Sequence, residues 1–179
     1  MSSDLTATIP ETPMISFKEL EDSLQSTLHL WCPLEKWDPS IISPTPEKPL
    51  QSSTRFLTYF PSLEFETPVS AIVFEYDESD LETIYMNRIP SDQRSFEVLS
   101  GTGFVRGKKG LGNFAVLAII ASVARVGHGL IIDASLGWMP EYFEDYLYDL
   151  DYVDDWMKAE ISEKGFEGMI TYFDRYWGK

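Results

Sequence analysis

GKKGLGNFAVLAIIASVARVGHGLIID, residues 107–133, is the stretch on which the fold turns. It opens with a glycine-rich connection over 107–112, and glycine is the usual residue for tight turns. Asn113 is placed to cap a helix start by accepting an exposed amide. The apolar run 114–126 predicts a buried helix, and Gly127 stands where a helix stop is expected. Residues 129–133 form a short apolar run ending in Asp133, the pattern of a central, buried strand. A buried helix feeding directly into a buried strand implies helices packed on a sheet.

Upstream, residues 1–13 are polar and carry two prolines, which predicts a flexible tail ahead of a single domain over 14–179. Ser16 and Glu19 make a capping box for a short helix over 17–26. Residues 27–32 alternate Leu28, Leu30 and Cys32 with His29 and Trp31, the period of a strand. Pro33, Pro39, Pro44, Pro46 and Pro49 then exclude a continuous helix or central strand over 33–53. The expectation there is a long loop or crossing arm, anchored to the body by Trp31 and Trp37. Strands are predicted at 55–60, 69–76, 95–99 and 103–106. An acidic turn falls at 77–80 and a glycine turn at 100–103, while 80–88 fits a short helix or a strand equally. The fold class that results is α+β: a mostly antiparallel sheet with helices packed on one face.

Downstream, residues 134–140 turn the chain and Pro140 is well placed in the first turn of a further helix. The expectation is a long acidic helical region over 141–163. Phe143, Leu147, Leu150, Met157 and Ile161 would form its buried stripe. Glu141, Asp145 and Asp149 repeat every four residues on another face, and Asp151, Asp154 and Asp155 extend the charge. Tyr142, Tyr146, Tyr148 and Tyr152 are interleaved with them. Residues 141–160 hold eight carboxylates and a single lysine, so the region is a docking surface or a solvated face. The aromatic segment 166–177 is expected to dock back on the body.

The charge balance bears on partners. Fourteen basic residues face 29 acidic ones, a net charge of −15. Such a surface repels nucleic-acid phosphates and anionic membranes and speeds encounter with basic proteins. Five Trp, nine Tyr and eleven Phe exceed what one core needs, so some are expected at an interface. The single cysteine, Cys32, excludes an intrachain disulfide and a cysteine metal cluster. Residues 1–13 lack the basic and apolar regions of a secretory signal, and the run 114–126 is too short to span a bilayer. Together these point to the cytoplasm.

The chemical motifs are weak. Gly110, Gly112 and Ala115 match a relaxed dinucleotide fingerprint with Asp133 about twenty residues on, but too little chain follows for a Rossmann unit. His29 and His128 stand alone in sequence, without the three or four ligands a metal needs. No serine lies in a nucleophile elbow. The acidic run 149–155 lacks the glycine and glutamate of a calcium loop. No cofactor and no metal are therefore expected.

From Gly112 to Trp138 the chain runs GNFAVLAIIASVARVGHGLIIDASLGW: glycine turn, apolar helix, Gly127, strand, Asp133, glycine turn. This resembles a pattern in small bacterial immunity proteins of polymorphic-toxin and interbacterial-competition systems. The resemblance implies a cytoplasmic α+β protein that binds one cognate toxin stoichiometrically and blocks it. It transfers no site residues. From the residues themselves, the partner-binding set is Glu141, Asp145, Tyr148, Asp149, Tyr152 and Asp155, with Trp37 from the proline-rich arm. The function expected is therefore that of a toxin inhibitor, not an enzyme, with a basic protein partner (a nuclease domain among the candidates) and neither nucleic acid nor membrane. Two rivals stand beside it: a ligand pocket near Gly110, His128 and Asp133, and a structural or adaptor protein that self-associates through its aromatic patches.

Overall fold

The computed structural model describes residues 5–10, 14–50, 54–74, 93–99, 109–133, 139–140 and 147–176. The predicted turns at 77–80 and 100–103, the segment 80–88, the strand 103–106 and the helical start over 141–146 lie outside these.

The fold is α+β. Seven strands form one antiparallel sheet in the order β2-β3-β4-β5-β1-β6-β7. They are β1 (Leu5–Pro10), β2 (Ser40–Ile42), β3 (Thr54–Phe60), β4 (Phe65–Phe74), β5 (Gln93–Leu99), β6 (Ile131–Asp133) and β7 (Leu147–Tyr148). Three helices, α1 (Phe17–Trp31), α2 (Lys109–Gly127) and α3 (Leu150–Tyr176), pack on one face. The apolar α2 lies directly on β1, β5 and β6, α1 rests against α2 and β2, and α3 covers α2 and α1. On the other face, Ile132 and Leu147 gather Leu130 into a small separate cluster.

Residues 1–13 are not simply a tail. Leu5–Pro10 form β1, paired with β5 on one side and β6 on the other. Leu5 and Ala7 are fully buried, and so is Thr8. Six residues are too few to display a burial pattern, and the neighbours that give β1 its hydrogen bonds are remote in sequence. Only the assembled sheet recruits it.

The strand expected at 27–32 is the second half of α1. Phe17, Leu20, Leu24, Thr27, Leu28 and Trp31 recur at helical spacing and are all buried. The helix starts at the expected capping box, where Ser16 Oγ accepts from the Glu19 amide and the Glu19 carboxylate accepts from Ser16 N–H at 2.8 Å. That same hydrogen bond, above all, holds the Glu19 carboxyl below its ordinary pKa. The proline-rich arm contributes β2, a three-residue edge strand between Pro39 and Pro44. An edge tolerates flanking prolines because one side of the strand needs no ladder donors. Glu21 accepts from the Ile41 amide at 2.8 Å and ties this edge to α1.

The glycine-rich segment also differs from expectation. Gly110 and Gly112 lie inside α2, which begins at Lys109, so Asn113 is not its cap. The Gly110 backbone amide instead donates to Asp174 Oδ1 at 2.5 Å, and the Asn113 side-chain Nδ2 donates to the Phe173 carbonyl at 3.2 Å. A Cβ on Gly110 would collide with the Ile170 carbonyl, so glycine here permits close approach of α3. At the other end His128, not Gly127, takes the left-handed conformation, at φ 50. Gly129 N–H bonds to Ala124 O at 2.8 Å and His128 N–H to Arg125 O at 3.4 Å, the paired bonds of a Schellman stop.

Residues 110–127 are long and apolar enough to cross a membrane by length and composition, more than the run 114–126 suggested. In the fold 72% of this window is buried between sheet and helices, as the central core helix.

Candidate functional site

The acidic C-terminal helix starts at Leu150, later than expected, because Leu147 and Tyr148 pair with Ile132 and Ile131 as β7. Gly165, at φ 72 and ψ 169, breaks α3 into two helical arms. Val153, Asp154 and Met157 of the first arm face inward, while Asp151 and Asp155 face water. Their four-residue spacing places Asp151 and Asp155 on one outer ridge, and exposed Asp149 precedes it. Lys158 joins this ridge through a 2.7 Å contact with Asp155. That hydrogen bond raises the Lys158 pKa, with Asp154 and Asp151 adding their charges.

Asp154 departs from its acidic neighbours. It is 5% exposed and receives three hydrogen bonds. Arg125 Nη2 donates to its two carboxylate oxygens at 2.9 and 2.8 Å, and Trp31 Nε1 donates to Oδ1 at 2.7 Å. Arg125 Nε also donates to Thr27 Oγ1 at 3.2 Å. This network joins α1, α2 and α3 at one point and fixes the rotation of α3, so that Asp151 and Asp155 must face outward. A sequence signal existed: an arginine in an otherwise apolar core helix requires a buried acceptor. Which of many carboxylates it takes depends on the fold.

Of the residues expected at the interface, Asp149 and Asp155 are exposed and Tyr152 is half-buried with its ring 5.7 Å from that of Tyr148. Tyr148 is 1% exposed and Trp37 is 7% exposed, so neither is a surface anchor. Tyr148 turns inward because it belongs to the sheet. Trp37 packs among Phe60, Phe114 and Phe166 and donates to the Cys32 carbonyl at 3.2 Å, which makes it the anchor of the proline-rich arm. Glu141 and Asp145 lie outside the described residues.

Gly110, His128 and Asp133 do not share a pocket. Gly110 and His128 sit at opposite ends of α2, about 27 Å apart at the helical rise. The amide that would cradle a pyrophosphate is taken by Asp174. His128 is exposed, whereas Asp133 is fully buried and accepts from the Met139 amide at 3.0 Å. Among the described residues no three His, Cys, Asp or Glu side chains are placed to hold a metal ion. Cys32 is buried, and burial, reinforced by the charge of Glu35, pushes its thiol up to about 12. An open groove of about 450 Å3 runs beside α1, lined by Asp22, Gln25, Ser26, His29 and Trp37.

Comparison with family models, with curated proteins and with solved structures finds no match for this chain.

Proposed function

We propose that this protein is an inhibitor of the immunity type, which neutralises a basic protein partner, a cognate toxin domain, by docking it on the outer face of α3. One observation carries the reading. Asp151 and Asp155 project together from a helix whose rotation is locked by the inward Asp154–Arg125 pair. A net charge of −15 draws a cationic partner toward that face from a distance. Recognition by a preset acidic ridge needs no cofactor and no reacting group. A locked helix also loses little conformational freedom on binding, which favours tight association.

The test is kinetic. Asp151→Lys combined with Asp155→Lys is expected to lower the association rate with the protein encoded beside this one about tenfold at low ionic strength, with a smaller effect in high salt. Stopped-flow mixing of the two purified proteins reads it. An unchanged rate removes α3 from the interface, and failure of the two proteins to form a complex removes the reading itself.

A further inference from the structure

Beside Tyr152, which the sequence singles out, α3 carries a second aromatic side chain that it does not, Trp156. Tyr152 and Trp156 are half-buried and four residues apart, so they lie on one ridge of α3. About a quarter-turn or more to one side runs the ridge of Asp155 and Asp151. Glu160 and Glu163, four and seven residues after Trp156, continue the same ridge beyond it, so carboxylates border the aromatic pair along one side and at its C-terminal end. The Trp156 ring meets Tyr172 at 6.3 Å and Phe173 at 6.4 Å, which fixes its plane. Its indole N–H has no acceptor among the described residues.

The chain itself displays the chemistry this ridge offers. Lys164 is ion-paired with Glu160, and its ammonium stands 5.6 Å from the centre of the Tyr172 ring. A cation held between a carboxylate and an aromatic face is therefore already built beside Trp156. We infer that Trp156, with Tyr152, receives an arginine-bearing segment of the basic partner, the guanidinium stacking on the ring while Asp155, exchanging its solvent-exposed contact with Lys158, takes its charge. Arginine suits this place better than lysine, since its planar group stacks and pairs with a carboxylate at once. The inference rests on the proposed function and names the anchor of the same surface.

Nona-arginine and nona-lysine peptides, titrated calorimetrically at low ionic strength, serve as probes. Wild-type protein is expected to bind nona-arginine more tightly than nona-lysine, and the indole 1H–15N resonance of Trp156 is expected to move. Trp156→Leu, which keeps apolar packing, should weaken nona-arginine binding about three- to tenfold and abolish the preference. Trp156→Phe, the milder change, should fall between. If Asp151→Lys with Asp155→Lys weakens both peptides while neither Trp156 variant alters either, the anchor is refuted and the acidic surface stands. If neither peptide binds the wild type, anchor and surface fail together.

Discussion

Asp154→Ala removes the acceptor on which three helices converge, and its cost can be worked from the geometry. Depriving a buried ion pair of one partner costs about 3–5 kcal/mol when the survivor is fully enclosed. Arg125 retains 30% of its side-chain exposure, so water screens part of the stranded charge and the lower end of that range applies. The indole of Trp31, 1% exposed, loses the only acceptor within its reach among the described residues, which adds about 1 kcal/mol. Together these give about 4 kcal/mol, a large share of a typical domain's stability. Urea unfolding followed by tryptophan fluorescence is the assay. With a slope of about 2 kcal/mol per molar, the midpoint should fall by about 2 M while the slope is unchanged. Arg125→Met combined with Asp154→Leu should recover most of the loss, because an apolar pair of similar volume needs no compensation for buried charge. A midpoint shift below about 0.5 M for Asp154→Ala, at unchanged slope, would refute the assignment of this pair as the lock on α3.

Packing at Gly129 and burial at Cys32 carry three further outcomes. Gly129→Ala should destabilise by about 3 kcal/mol or more, since its Cβ would collide with the Thr8 carbonyl where β1 joins β6. A melting temperature within a degree or two of wild type would contradict that join. Cys32 should resist an aromatic disulfide reagent at mildly alkaline pH until urea unfolds the chain, as expected of a thiol pushed up to about 12. The folded state keeps a proton that the unfolded chain releases above the ordinary value of 9.0, so wild-type stability should fall, relative to Cys32→Ala, as pH rises from 9.0 toward about 12. Parallel stability curves for the two proteins across that window would overturn the burial argument.

Much of the architecture was readable from residues alone where a signal is local and repeated. The capping box at Ser16, the long apolar helix, the buried strand Ile131–Asp133 and the strands near 55–60 and 95–99 each follow from a short pattern that physics interprets one way. Errors came where two periods fit. Over 27–32, alternation and helical spacing both match, and the continuing stripe of α1 against α2 decides for helix. Tyr148 illustrates the same limit, since it is apt for an interface by composition and for a strand by shape, and pairing with Ile131 draws it inward.

Sequence by itself determined the fold class, the helix-on-sheet layering and the strongly acidic character, because hydrophobic period and net charge belong to the chain however it folds. Tertiary structure alone decided that Leu5–Pro10 is a central strand, that Asp174 caps α2 across sixty-four residues, and that Asp154 among its acidic neighbours turns inward to Arg125. Those choices depend on partners distant in sequence, whose hydrogen bonds and charges act only once the apolar faces have brought the elements together.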